Sequence, residues 1–418
     1  MDTYAQILTI AIPFFLVLII IEWAYGKYRG MEVTRSFDTV SSLSSGVSNI
    51  IKDVLGLAVI IVSYGWMVEH ISITQLTAGW LTYVLAFVGL DFAGYWSHRF
   101  EHEINILWNR HIIHHSSEEY NLACALRQNV SAIFAVFFFL LVPMAVIGVP
   151  AEVVAVVAPI HLFAQFWYHT KLIHRMGWLE YVLVTPSHHR VHHAINDQYL
   201  DKNYSQIFII WDRLFGTFQP ELEHVPAVYG VKRQSLTWNP FIINYQHLWL
   251  LLTDAWHTQS WADKIRVFYK ETGWRPADRQ IAAPITIVTD PYSQQKYDTP
   301  ASPVFKVWMW VQLLVTVGLT LYLFNSLGDI AAAHIAIYGA LLMVHIFAYT
   351  SLMDRSRLAV PAALLSTALC ITLTISTGGW FSLGIVGGAG VISFYCVSLL
   401  ATGYFLVAEP LQPRVSAT

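Results

Sequence analysis

Trp80-Leu-Thr-Tyr-Val-Leu-Ala-Phe-Val-Gly-Leu-Asp-Phe-Ala-Gly-Tyr-Trp-Ser-His98-Arg-Phe-Glu-His102 is an apolar run that passes without a break into a pair of histidines. Its first part has the length and composition of a membrane span, which needs about 20 mostly apolar residues. Its last part sets two imidazoles four residues apart, on one face of a continuing helix. A lipid-embedded helix that ends in two metal-ligand side chains points to a reactive centre at the membrane surface.

Two further clusters follow the first. They are His111-Ile-Ile-His114-His115 and His189-Arg-Val-His192-His193, the latter preceded by His188. Twelve of the 18 histidines fall between His98 and His193. The three clusters offer eight imidazoles, too many for one ion and enough for two. Burying them without partners would cost about 1–3 kcal/mol each, a cost that a shared metal removes. Imidazole suits zinc, copper, iron and nickel. A structural zinc site takes four ligands and commonly includes cysteine, whereas Cys124, Cys370 and Cys396 lie far apart. The two Glu-x-x-His motifs that carboxylate di-iron bundles require are absent; only Glu221-Leu-Glu-His224 has that spacing. Two irons, each with several imidazoles and an open position, fit the ligand count best. Glu101, Glu103, Glu118, Glu119 and Asp212 are candidates to hold the other ring nitrogens of the ligands.

Composition agrees with a membrane setting. The 418 residues are 56% hydrophobic and 12% charged, with a mean hydropathy of +0.49, against roughly 25% charged in a soluble domain. A net charge of −3 without basic clusters argues against a nucleic-acid binder. The absence of any Cys-x-x-Cys pair argues against an iron–sulfur cluster, a thiol redox motif or a disulfide framework. The first apolar segment lacks a basic leader and a small-residue cleavage site, so it reads as a span and not as a signal peptide.

Spans are expected at 5–24, 50–69, 78–97, 303–324, 331–352, 358–377 and 382–407. A hairpin of 130–149 and 151–168 is expected to cross or re-enter, turned at Gly148-Val-Pro150. Lys27, Arg29 and Arg35, then Arg99, then Arg355, Arg357 and Arg414, orient these segments by the positive-inside rule. The expected architecture is an all-α integral membrane protein, a polytopic bundle of about nine spans with its N-terminus out and C-terminus in. It carries a histidine-rich dimetal cap on the cytoplasmic side of a bacterial inner membrane or the endoplasmic reticulum. Four stretches are expected: membrane helices over 1–77, the histidine-box unit over 78–235, an aromatic segment over 236–302 ending in a linker at 289–300, and a membrane bundle over 303–418. The tryptophans of the third stretch, Trp249, Trp256 and Trp261 among them, suggest helices lying at the membrane interface.

His98-x3-His102, His111-x2-His114-His115 and His189-x2-His192-His193 resemble the boxes of the fatty-acid hydroxylase and sterol desaturase superfamily. Longer strings are similar to its alkylglycerol monooxygenase branch: Ser97-His-Arg-Phe-Glu-His-Glu103, His114-His-Ser-Ser-Glu-Glu-Tyr-Asn-Leu122, Gln165-Phe-Trp-Tyr-His-Thr170, Thr185-Pro-Ser-His-His-Arg-Val-His-His193 and Ile210-Trp-Asp-Arg-Leu-Phe-Gly-Thr-Phe218. The resemblance covers about residues 82–235 densely. It implies a cytoplasm-facing di-iron site that uses O2 to hydroxylate a lipid, at the carbon beside an ether oxygen if the branch holds. It adds His169 to the eight box histidines as a ligand, marks Glu103 as a catalytic candidate, and leaves His188 as a ligand or hydrogen-bonding neighbour. His174 is a weaker ligand candidate, and His161 reads as a helix–helix hydrogen bond. The sequence shows no cytochrome-like, dinucleotide-binding or cysteine-cluster motif, so a separate electron donor is expected; the resemblance implies tetrahydrobiopterin, with a ferredoxin or another carrier as the alternative. Zinc could replace iron during purification. Three alternatives stand beside this reading: a hydroxylase or desaturase of a sterol, fatty acyl chain or aminolipid; a metal-binding membrane transporter or store; and a zinc-bound scaffold. Oligomeric state is not legible in the sequence.

Overall fold

The computed structural model describes residues 2–57 and 59–409, with side chains from residue 9 onward. Among the described residues there is no named strand, only helices and three isolated β-bridges. The order begins α1 (Asp2–Tyr28), α2 (Ser36–Val54), α3 (Tyr64–Ile71) and α4 (Trp80–Glu103). Three short helices follow, α5 (Asn105–Trp108), α6 (Ile112–His115) and α7 (Leu122–Ala125), then α8 (Val142–Val146) and α9 (Ala151–Phe163). The cap continues with α10 (Pro186–His192), α11 (Ile210–Phe215), α12 (Pro240–His257), α13 (Trp261–Tyr269) and α14 (Ala277–Ala282). The chain closes with α15 (Pro303–Asn325), α16 (Ala332–Met353), α17 (Ala359–Ser376) and α18 (Gly384–Ala408).

Five segments are long and apolar enough to cross a bilayer: Thr9–Tyr28 in α1, the helices α15, α16 and α17, and Phe381–Ala408, which contains α18. The last four lie within two residues of the expected bounds. The third expected span, 78–97, falls in α4, one helix that continues through His98 and His102 but is not among these five.

Three other expected spans differ, residues 50–69 and both arms of the hairpin. Residues 50–69 do not form one helix: α2 stops at Val54, Gly56 adopts a left-handed φ of +63°, and α3 begins only at Tyr64. The apolar link between them stays stable by pairing its backbone with another loop. Val59 N–H donates to Ile133 O at 2.6 Å, and Ala135 N–H donates to Val59 O at 3.0 Å, so backbone polar groups find partners away from water. The hairpin also falls short. Helix α9 has 13 residues, about 20 Å at 1.5 Å per residue, against a hydrocarbon core of about 30 Å. Its partner is a 3-10 turn followed by the five residues of α8. Neither arm is long enough to cross. Arg414 lies outside the described residues.

Helix α2 joins bundle to cap. Its buried face carries Ser41, Ser42, Ser44, Ser45 and Ser48, small side chains that let neighbouring backbones approach closely. Ser44 Oγ meets Tyr349 OH of α16 at 2.6 Å, and Ser41 Oγ donates to Trp238 O at 2.7 Å. The apolar core runs continuously through α1, α2, α15, α16, α17 and α18. The stretch 289–300 is not a free linker. Gln294 and the Tyr297 backbone donate to Glu118, and Lys296 pairs with Glu119. Trp249, Trp256 and Trp261 on α12 and α13 are 72%, 80% and 81% exposed, as helices at a lipid interface would be.

Candidate metal centre

The three boxes converge into two groups of nitrogen ligands. One comprises His98, His102, His111, His115 and His192; the other comprises His114, His169, His189 and His193. Within each group the ligand atoms lie within 4.8 Å of one another. Local geometry explains the division. On α4 the i, i+4 spacing points His98 and His102 the same way. Helix α6 sends His115 to the first group with His111, and His114 to the second. Helix α10 sends His192 to the first, and His189 and His193 to the second. The groups abut: the rings of His115 and His193 stack with centroids 4.3 Å apart.

The nitrogen spacing is that of ligands around ions. His98 Nε2 is 2.9 Å from His111 Nε2, and His102 Nε2 is 3.2 Å from His115 Nε2. In the second group His169 Nε2 is 3.3 Å from His114 Nε2 and 2.9 Å from His189 Nε2, which is 3.0 Å from His193 Nε2. Two nitrogens bound to one ion at about 2.1 Å, at octahedral or tetrahedral angles, sit roughly 3.0–3.4 Å apart.

Tautomers decide what these contacts are. His98 Nδ1–H donates to Tyr204 O at 2.7 Å, His169 Nδ1–H to Gln165 O at 3.0 Å, His192 Nδ1–H to Lys202 O at 3.0 Å, and His114 Nδ1–H to Arg127 O at 3.3 Å. A neutral imidazole has one N–H, so in these rings Nε2 carries a lone pair. His169 Nε2 and His114 Nε2 therefore face each other as two acceptors, and His192 Nε2 is buried with no hydrogen-bond partner at all. The rings are neutral because they are buried. Burial, aided by neighbouring histidines, pushes His114 down to about 3 and holds His111, His115, His169, His189, His192 and His193 well below the usual imidazole range. Inward-facing lone pairs on neutral rings suit cations, and the donor set fits two.

The groups that hold the outer ring nitrogens differ from expectation. Backbone carbonyls take that role for four rings. Carboxylates stand further off. Glu101 Oε2 is 3.6 Å from His111 Nδ1, and Asp201, a residue the sequence did not single out, is 3.6 Å from His102 Nδ1. Asp212 acts at one remove. It accepts the N–H groups of Tyr204 at 2.8 Å and Ser205 at 2.9 Å, and so fixes the carbonyl that receives His98. Glu118 and Glu119 instead pair with Arg35 and the 289–300 stretch.

Other candidates fall outside both groups. His188 is buried, but its ring packs on Phe218 at 5.5 Å and its Nδ1 lies 3.5 Å from Thr185 Oγ1. Glu103 is 42% exposed and pairs with Arg99 at 2.8 Å. His174 is exposed. His161 Nε2–H donates to Asp91 at 2.8 Å, joining α9 to α4, as read from sequence. Asp91 itself is a missed anchor: it also accepts from Ile207 N, Phe208 N and Trp211 Nε1. A carboxylate inside an apolar span was the signal that could have found it.

A cavity of about 320 Å³ opens onto both groups, touching His98 and His111 of one and His114, His169 and His189 of the other. Asn49, Glu101, Arg110, Gln128, Asn129, Gln165 and Gln206 contribute to its polar part, and the rest of its wall beyond the histidines is largely apolar.

The fatty acid hydroxylase family profile matches residues 83–217. An alkylglycerol monooxygenase from Xenopus tropicalis is 35% identical over 364 residues, covering 86% of this chain and 79% of the relative. One from Homo sapiens is 37% identical over 305 residues, covering 72% and 67%. Ornithine lipid hydroxylase OlsE from Rhizobium tropici is 30% identical over 136 residues, covering 32% and 41%. No solved structure matches the chain.

Proposed function

The chain belongs to the fatty acid hydroxylase family, on its alkylglycerol monooxygenase branch, and from that premise we propose that it is a membrane di-iron monooxygenase acting on an alkylglycerol-type lipid. The observation that supports this most is the facing of lone-pair nitrogens in two adjoining, buried groups. His98, His102, His111, His115 and His192 would hold one iron, and His114, His169, His189 and His193 the other. Once bound, the irons supply O2 activation, fed by two electrons from a separate donor that we assign to a tetrahydrobiopterin-type reduced pterin. Zinc found after purification would mark exchange of the ions, not a different reaction.

The balance is as follows. One oxygen atom enters the C–H bond beside the ether oxygen, and the other leaves as water with two protons and two electrons. The resulting hemiacetal then collapses: its C–O ether bond breaks, its hydroxyl proton passes to the departing glycerol oxygen, and an aldehyde remains. The chain's part is to place that carbon and keep water away. The cavity reaches both groups at once, so a methylene held there would lie beside histidines of both. Glu103, partly exposed beside Arg99, is the carboxylate we assign to proton exchange with water at the edge of the centre. The catalytic unit would span residues 78–235. A cytoplasmic outlook is supported by Lys27, Arg29 and Arg35 between the end of α1 and the start of α2, on the side where Glu22 binds Thr170 beside His169.

The test is turnover of an alkylglycerol by iron-loaded protein with O2 and a reduced pterin, read as aldehyde release. His114→Ala and His192→Ala should each abolish it while the detergent-solubilised protein stays folded; retained activity in both would sink the reading. The similarity to ornithine lipid hydroxylase favours a second reading, hydroxylation of an acyl or aminolipid chain. That reaction would give a hydroxylated lipid and no aldehyde.

A further inference from the structure

The cavity takes part of its wall from the 151–168 arm of the hairpin, at Leu162, Phe163, Phe166 and Tyr168, and much of the rest from other helices. Its apolar lining includes Ala11, Ile12 and Phe15 of α1, Val47 of α2, Phe166 after α9 and Val317 of α15. Helix α1 is fixed to the level of the metal centre by Glu22, whose carboxylate accepts from Thr170 Oγ1 at 2.6 Å, beside His169, and from Leu122 N at 2.7 Å. From Glu22, the cavity-facing stretch of α1 begins about 9 Å along the helix at Leu16 and ends about 16 Å along it at Ala11, at 1.5 Å per residue. The opening is therefore a slot that runs down α1, away from the histidines.

The opposite face of α1 looks outward. Ile10 is 76% exposed, Phe14 58% and Val17 52%, a face suited to lipid tails. Toward the α9 hairpin, α1 makes aromatic contact through one residue. The Phe15 ring lies 5.5 Å from that of Phe163 and 4.4 Å from that of Phe166. One helix, closed against its neighbour by an aromatic latch, separates the slot from the bilayer.

We propose that the alkyl chain of the lipid substrate lies in this slot against Ala11, Ile12 and Leu16, having entered sideways from the bilayer past Phe15. On this reading α1 sets the accepted chain length, and Phe15 governs entry. The inference rests on the lipid monooxygenase reading and names the seat of its substrate. The apolar slot recognises a long saturated chain by burial alone, and the amides and histidines at its upper end meet the polar part of the molecule.

The experiment uses full-length, iron-loaded protein and a series of 1-alkylglycerols of increasing chain length. Ala11→Trp fills the far end of the slot. It should lower kcat/KM by about tenfold for every two methylenes shut out, and least for the shortest substrates. Ala11→Leu, the milder change, should shift the same profile less. Phe15→Ala should lower KM for the longest chains. Ile10→Trp, on the outward face of the same helix, should leave the length profile unchanged. An unaltered profile in both Ala11 variants, with iron content retained, would overturn the proposal. If wild-type protein turns over no alkylglycerol, the substrate reading has failed separately. The slot is then tested with vesicles carrying an alkyl probe bearing a diazirine at its chain end. Crosslinks to Ala11, Ile12, Phe15 or Leu16 would support it, and crosslinks confined to Ile10, Phe14 and Val17 would overturn it.

Discussion

Replacing Asp212 with Asn tests whether the groups behind the ligands hold the metal centre in shape. The Asp212 carboxylate is fully buried and accepts three hydrogen bonds: Tyr204 N at 2.8 Å, Ser205 N at 2.9 Å and Thr217 Oγ1 at 2.6 Å. Asparagine keeps one acceptor oxygen and turns an NH2 toward a former donor. One hydrogen bond to a charged group is lost, worth about 1.5–3 kcal/mol. The Tyr204 peptide must then shift, and its carbonyl is the partner of His98 Nδ1–H at 2.7 Å. If about 2 kcal/mol of that cost appears as weakened binding, affinity at the first group falls about 30-fold, within the 10–100-fold common for such supporting residues. The assay is chelator competition followed by metal analysis per chain. Iron should leave in two phases, with the first group emptying at a lower chelator concentration than in the wild type. His114, His169, His189 and His193 make no bond to this loop, so the second phase should move little. Identical release curves for variant and wild type, or an equal shift of both phases, would refute the reasoning.

Three further outcomes are expected. Metal-free protein should lose stability as pH falls below about 6.5. The unfolded chain takes up protons there that buried His247, held near 4, and His114, held near 3, do not. Each such histidine removes about 1.4 kcal/mol per pH unit, and denaturant midpoints from pH 7.5 to 5 would show it; a flat profile would contradict the burial of neutral rings. Asp91→Ala strips the acceptor from His161, Ile207, Phe208 and Trp211. At about 1–3 kcal/mol per orphaned donor the loss exceeds roughly 4 kcal/mol, so monodisperse protein should not be recovered by size exclusion; a well-behaved variant would refute the anchor. Glu103→Gln removes only an exposed i, i+4 pair with Arg99, so stability should change by less than about 0.5 kcal/mol. Iron content should hold while turnover falls and its pH profile shifts; unchanged turnover would remove Glu103 from the reaction.

The chemistry was legible because it is local. Ligands three and four residues apart share a helix face whatever the fold, so the boxes could be read as spacing alone. The four C-terminal helices were legible for a similar reason: their apolar lengths match the bilayer, and Asn325 to Asp329, Asp354 to Arg357 and Gly378-Gly379 mark their ends. Residues 50–69 misled because apolar content does not specify helix. Gly56 ends α2, and a pairing with the 133–135 loop, remote in sequence, satisfies the backbone that a helix would otherwise have to satisfy. His169 was recognised only through resemblance, since nothing around a lone histidine announces a partner 55 residues away in His114. The supporting bonds were misassigned because carbonyl acceptors leave no trace in side-chain identity. Glu101 and Asp212 were visible as carboxylates, whereas the carbonyls of Tyr204, Gln165 and Lys202 were not.

The thinness of the α1 wall has a consequence for how saturation is measured. With Ile10 and Phe14 facing outward and Ala11 and Phe15 facing the slot, the solvent of the enzyme is also the reservoir of its substrate. The controlling variable is then the mole fraction of alkyl lipid in the surrounding film. Doubling the detergent at fixed substrate should slow the reaction by surface dilution, and rates plotted against mole fraction should fall on one curve.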